Sequence, residues 1–227
     1  MGHMPFGLHA FLPQPARYFT ILRDPVERVV SHYYFLRHSS SSLSAQRSDL
    51  SDLTLQSFIE HQTTREARNL QTRLISGVVN QKATKINDEE ILARAKKNLQ
   101  ESFDVVGLAE HFDETLLLLK NAFRWRQVFY VKLNVIRSRP QQNEILPATR
   151  QLIQEHNQLD LELYRYARML FAEQLQRQDA IFTQQLRSFQ TYNRLLQPFL
   201  HIWWRAPHAV NRVVRQVRKR LSAPRTA

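Results

Sequence analysis

The stretch "YFTILRDPVERVVSHYYFLR", Tyr18 to Arg37, constrains the fold more than any other part of the chain. Its first five residues, Tyr18 to Leu22, are aromatic, β-branched or aliphatic and read as a strand. Arg23-Asp24-Pro25 stops that strand. Asp24 is placed to cap a helix whose first residue is Pro25, where the missing N–H costs nothing, and Glu27 stands three residues beyond the cap. Val26, Val29, Val30, Tyr33 and Tyr34 then recur at spacings of three and four, an apolar stripe suited to lie on a sheet. Arg28, Ser31 and His32 fall off or beside that stripe. A strand turning at once into an amphipathic helix is the repeating unit of α/β folds.

The same pattern recurs downstream. "FDVVGL" (Phe103 to Leu108) and "QVFYVKLNV" (Gln127 to Val135) are apolar and strand-like. Helices are expected from Leu53 to Gly77, with Gly77 as a C-cap, from Asp88 to Glu101, from a cap at Asp113 through Phe123, and nearly continuously from Pro147 onward. Strands separated by helices predict an α/β fold with a small, mostly parallel sheet and a largely helical C-terminal half. Three strands are few for such a fold, and part of the sheet is expected to be missing. "HSSSSLSAQRSDLSD" (His38 to Asp52) holds seven serines in fifteen residues. It reads as a surface loop, either a solvated connector or a lid over a substrate. The predicted organisation is one α/β domain over residues 1–197 and a basic amphipathic helical tail over 198–227.

Composition narrows the functional classes. Hydrophobic residues make up 43% of the 227, as in a folded domain. With 32 Lys and Arg against 20 Asp and Glu, the chain carries a formal charge of +12 and should be drawn to polyanions. The absence of cysteine excludes disulfides, thiolate metal sites and Cys nucleophiles. The nine histidines show no metal-ligand spacing such as H-E-x-x-H, so no metal is predicted. The apolar runs are far below the roughly 20 residues that span a bilayer, and the start lacks the basic leader and apolar block of a signal peptide. The expected location is cytoplasmic, in a chain of bacterial rather than Golgi-resident type.

The tail qualifies that location. Between His201 and Ala227 there are seven Lys or Arg and no acid, with Val210, Val213, Val214, Val217 and Leu221 on one helical face. Such a helix either docks on its own domain through the valines or lies peripherally on an anionic membrane surface. Nucleic-acid binding would satisfy the charge, but no recognised binding motif accompanies it.

Arg23, at the carboxyl end of the first strand, stands where α/β proteins bind ligands. Its guanidinium could grip a phosphate with two parallel bonds, and Ser31, two helical turns further on, could reach another oxygen of the same anion. Equally, Asp24-Pro25 is helix punctuation, with Arg23 paired to Glu27 and Ser31 merely tolerated. The residues alone leave both readings open.

"TILRDPVERVVSHYYFLR" resembles, almost residue for residue, the 3′-phosphate-binding segment of the carbohydrate sulfotransferases that include the heparan sulfate uronyl 2-O-sulfotransferases. The resemblance implies a P-loop-like, three-layer α/β fold. It also implies transfer of a sulfuryl group from 3′-phosphoadenosine 5′-phosphosulfate (PAPS) to a hydroxyl of a carbohydrate-type acceptor, with Arg23 and Ser31 on the 3′-phosphate. "GHMPFGLH" is similar to the family's Gly-His element, which makes His3 the implied catalytic base. A histidine titrating near neutrality suits that role. "NLQTRLISG", "FDVVGLAEHFDETL" with Trp125 after it, "KLNVIRSRP" and "NQLDLELYRYA" look like later family blocks in the same order. Arg137 and Arg139 could close over the adenosine or its phosphate, and exposed loop arginines are as often simply solvated. Arg73 and Glu110 resemble block residues, though a helix-surface arginine and a strand-end carboxylate account for them equally.

Family members place a glycine-containing Pro-Lys-Thr loop ahead of the Gly-His element, where backbone N–H groups cradle the 5′-phosphosulfate. Only two residues precede His3, and none of Gly2, Gly7, Gly77 or Gly107 sits in such a loop. The cradle is therefore expected to be missing and turnover impaired, since one lost oxyanion donor already costs about 10²–10³ in rate. The alternative is a non-catalytic α/β module that keeps anion affinity or associates with a membrane surface.

Overall fold

The computed structural model describes residues 4–38, 53–61, 65–78, 86–131, 145–197 and 199. His3, the serine-rich stretch from 39 to 52, Arg137, Arg139 and the basic segment from 201 onward lie outside them.

A 3-10 turn, Leu8–Phe11, leads into β1, Tyr18–Leu22, and α1 follows over Pro25–His38. Next come α2 (Leu55–Glu60), a 3-10 turn (Arg65–Ala67), α3 (Leu70–Ser76) and α4 (Asp88–Glu101). β2 (Phe103–Leu108) passes through a 3-10 turn (Ala109–His111) into α5 (Phe112–Phe123). Among the described residues of the C-terminal half are α6 (Pro147–His156), α7 (Gln158–Gln176) and α8, residues 180–197. The architecture is thus α/β with helices predominating.

β1 and β2 pair in parallel, in register from Phe19 with Val105 to Leu22 with Leu108, and the helical crossover between them is what parallel pairing demands. Among the described residues the sheet has these two strands. The third strand expected at Gln127 to Val135 is not formed over 127–131, and the rest of it lies outside the described residues. The reason is visible at Tyr130. Its carbonyl accepts from Gln197 Nε2 at 2.6 Å and its N–H donates to Asn193 Oδ1 at 3.5 Å, so side chains of α8 take the backbone bonds that a neighbouring strand would have made.

Among the described residues two apolar clusters build the interior. The larger surrounds β2, whose Val105, Val106 and Leu108 pack with Ala95 and Leu99 of α4, Leu117 to Leu119 of α5, and Leu163, Ala167 and Phe171 of α7. Close approach of α5 is possible because residue 107 is glycine: a Cβ there would lie 2.2 Å from Cγ2 of Thr115. The smaller cluster corrects an expectation. Val26, Val29, Val30 and Tyr33 are buried as the periodicity requires, but against Phe58 and Ile59 of α2 and Ile153 of α6 rather than on the sheet. An apolar stripe demands a cover without specifying which element provides it.

The helix expected from Leu53 to Gly77 is broken into pieces, because Asn69 adopts φ 45° and starts α3 afresh. Gly77 ends α3 at φ 77°, the left-handed C-cap read from the sequence. Asp113 is not the cap of α5. It sits inside the first turn, and its carboxylate accepts the hydroxyl of Tyr130 at 2.7 Å.

Candidate functional site

The carboxyl ends of β1 and β2 converge with the N-terminus of α1, and in the turn between them the N–H groups of Arg23, Asp24 and Glu27 each donate to a side chain. Asp24 Oδ1 accepts the N–H of Glu27 at 3.0 Å, which makes Asp24 the N-cap and Pro25 the first helical residue, as the sequence required. The reciprocal bond of a capping box is not made by Glu27. Instead Glu110, just past β2, accepts the N–H of Asp24 through Oε1 at 2.8 Å. Its second oxygen accepts the hydroxyl of Tyr164 on α7 at 2.9 Å. Burial, and this bond to a carboxylate, push the Tyr164 hydroxyl well above the ordinary tyrosine range. Glu110 is therefore the strand-end tie that one of its two readings supposed.

Arg23 is one residue past the last strand pair. Its N–H donates to Gln71 Oε1 and its carbonyl accepts from Gln71 Nε2, both at 2.9 Å. The guanidinium, about a third exposed, donates to Glu27 Oε2 at 3.4 Å. The pairing of Arg23 with Glu27 is one of the two arrangements the residues allowed. Ser31 is half-buried on α1, four residues after Glu27 and three after Arg28, and so on the same face of the helix as both. Glu27 is thus the ion-pair partner of Arg23 and a helical neighbour of Ser31.

Arg28 is the most enclosed cation of the region. Its Nη1 donates to the carbonyl of Glu66 at 2.6 Å and its Nε lies 3.7 Å from Oδ2 of the fully buried Asp160. Burial pulls Arg28 below the ordinary arginine value, the Asp160 carboxylate opposes this, and Arg73 and Arg23 nearby add to the lowering. Arg73 spends its Nε and Nη2 on the carbonyls of Asn69 and Arg68.

Asp160 also accepts from Gln71 N, Thr72 N and Thr72 Oγ1, at 3.2, 2.8 and 2.7 Å. A side chain of α7 thereby caps α3, which has no cap of its own. Asn157 accepts from Asn69 N, and its amide donates to the carbonyls of Ala67 and Ile153. Two blocks far apart in sequence, "NLQTRLISG" and "NQLDLELYRYA", are here one polar network. The sequence by itself gives Gln71, Asn157 and Asp160 no role. The signal available was a set of polar residues inside helical, largely apolar blocks.

His3 lies outside the described residues. The segment that follows it is tied to α3, since Phe6 N–H donates to Leu74 O at 2.8 Å. His9 is engaged with Tyr18, whose hydroxyl lies 2.9 Å from both the backbone N and Nδ1 of His9. Among the described residues no group of three His, Cys, Asp or Glu is placed to hold a metal ion, and no helix is long and apolar enough to cross a membrane. A cavity of about 410 Å³, lined by Lys120, Arg126, Phe129, Phe189 and Tyr192 among others, lies further along α5 and includes none of Arg23, Ser31 or Glu110.

Comparison with known proteins assigns this arrangement to a family. The sequence profile of the galactose-3-O-sulfotransferases matches residues 2–197. Galactose-3-O-sulfotransferase 2 of Mus musculus is 25% identical over 183 residues, 77% of this chain and 45% of its own length. Heparan-sulfate 6-O-sulfotransferase 2 of Danio rerio is 29% identical over 185 residues, 70% of this chain and 39% of its own. Heparan-sulfate 6-O-sulfotransferase 3 of Homo sapiens is 28% identical over 183 residues, 69% and 38% respectively. The chain spans less than half the length of these curated relatives. The kinship with carbohydrate sulfotransferases implied by the strand–turn–helix segment is what the comparisons find, and the profile that fits is of the galactose-3-O type. The chain belongs to the galactose-3-O-sulfotransferase family.

Proposed function

We propose that this chain carries the 3′-phosphate-binding part of a carbohydrate sulfotransferase that uses PAPS, on a P-loop-like fold. The observation that carries the reading is the position of Arg23. It leaves the carboxyl end of a parallel strand, at the N-terminus of a 14-residue helix, on a main chain held by Gln71 and followed by an amide held by Glu110. A partly exposed guanidinium, a helix N-terminus and a hydroxyl on the face of Glu27 suit a dianionic phosphate ester. Arg23 and Ser31 hold the 3′-phosphate, and Glu27 keeps the guanidinium in place.

In the reaction, the acceptor's hydroxyl oxygen bonds to sulfur while the bond from sulfur to the 5′-phosphate oxygen breaks, leaving 3′-phosphoadenosine 5′-phosphate. His3 takes the hydroxyl proton. The acceptor is a carbohydrate hydroxyl, in keeping with the galactose and heparan-sulfate specificities named in the relatives.

Calorimetric titration with 3′-phosphoadenosine 5′-phosphate tests the site directly. Arg23→Ala is expected to weaken binding about tenfold or more, the value of a charge-assisted bidentate contact, and Ser31→Ala by less. Equal affinity of wild type and Arg23→Ala would remove the assignment.

A further inference from the structure

We infer that Gln71 is a positioning residue for the donor's 3′-phosphate, acting through the main chain of Arg23; the inference rests on the role of Arg23 proposed above. The ladder between β1 and β2 ends at Leu22 and Leu108, and β2 then turns into the 3-10 segment Ala109–His111. Arg23 is the first residue without a strand beside it. The side-chain amide of Gln71 takes that place. Its oxygen accepts the N–H of Arg23 and its nitrogen donates to the carbonyl of the same residue, both at 2.9 Å. One planar amide meeting both main-chain groups of one residue does what an opposed residue does in the hydrogen-bonded pair of an antiparallel ladder, and so fixes the direction in which the arginine side chain leaves the backbone.

The amide is itself firmly held. Gln71 is 9% exposed, and its own N–H donates to Asp160, as do the N–H and hydroxyl of Thr72 beside it. The chain of contacts therefore runs from α7 through the first turn of α3 to the guanidinium-bearing residue. Glutamine meets this need because it donates and accepts at one reach. Methionine fills similar space and does neither, and asparagine falls one methylene short.

The test uses the full 227-residue chain and two probes, 3′-phosphoadenosine 5′-phosphate and adenosine 5′-monophosphate, which lacks the 3′-phosphate. The ratio of their dissociation constants reports the grip on the 3′-phosphate and is insensitive to the fraction of folded protein. Gln71→Met and Gln71→Asn are expected to lower that ratio about fivefold to tenfold, leaving the monophosphate affinity unchanged, and to have no further effect in the Arg23→Ala background. An unchanged ratio in both Gln71 variants, with Arg23→Ala abolishing the discrimination, would overturn the inference and leave the functional reading intact. Loss of folding in both would assign Gln71 to stability alone and overturn it equally. An Arg23→Ala protein that still discriminates would instead overturn the functional reading.

Discussion

Asp160 Oδ2 lies 3.7 Å from Arg28 Nε, the carboxylate fully buried and the guanidinium nearly so. The separation is too long for a good hydrogen bond, and the attraction must offset the cost of desolvating two charges. Removing one partner strands the other, so Arg28→Met is expected to destabilise the fold by about 3–5 kcal/mol. In Arg28→Met/Asp160→Asn the surviving charge is gone, and the loss should fall short of the sum of the single losses by about 1–2 kcal/mol. Urea denaturation of the four proteins measures this; strict additivity would show that the two groups do not interact.

Gly107 and Thr115 offer a test by rescue. A Cβ at 107 would stand 2.2 Å from Thr115 Cγ2 and 3.0 Å from its Oγ1, and Thr115 cannot swing away because its hydroxyl bonds both the N–H and the carbonyl of Leu108. Gly107→Ala should therefore cost about 1–3 kcal/mol, as overpacking does. Thr115→Ser removes the offending methyl and keeps the hydroxyl. The double variant is expected to melt above Gly107→Ala alone, and a lower melting temperature would refute the proposed clash.

The elements recovered from sequence are those with local causes. Asp24, Pro25 and Gly77 define ends through bonds or dihedrals within a few residues, and β1 and β2 are short apolar runs between turn signals, so these boundaries were legible. Asp113 misled because a cap can be pre-empted by a distant partner, here Tyr130. The stripe on α1 is buried as its periodicity requires but faces α2 and α6 instead of the sheet, since periodicity carries no information about the cover. At the candidate site, the segment bearing Arg23 and Ser31 stood out. Gln71 and Asp160, at separations of 48 and 88 residues from the groups they hold, became visible only in three dimensions.

Gly77 links α3 to the segment that follows His3. Its φ of 77° already disfavours a side chain, and a Cβ would approach the carbonyl oxygen of Phe6 to 2.8 Å. Backbone cannot yield as a side-chain tip can. Gly77→Ala is expected to cost about 1–2 kcal/mol, summing the left-handed penalty and the displaced contact. It should also speed hydrogen exchange at the Phe6 amide, which donates to Leu74 O. Unchanged exchange there would mean that the 4–11 segment is not seated on α3 in solution.

Two tyrosines make stability sensitive to alkali. Tyr130, half-buried and donating to Asp113, is pushed up from the usual 10 to about 12, chiefly by burial and then by that bond. Tyr164 is raised further for the same two reasons, with Glu110 as its acceptor. A raised value means that the folded protein holds the proton more tightly than the unfolded chain does. The contribution is thus fully present below pH 10, where both states are protonated, and is lost as pH rises from 10 through about 12. Denaturation midpoints measured across that window should fall with pH. Tyr130→Phe should be less stable than wild type at neutral pH, where a bond to a carboxylate is missing, and should lose less stability between pH 10 and 12. A parallel fall in the two proteins would show that Tyr130 titrates normally and that Asp113 does not hold its hydroxyl.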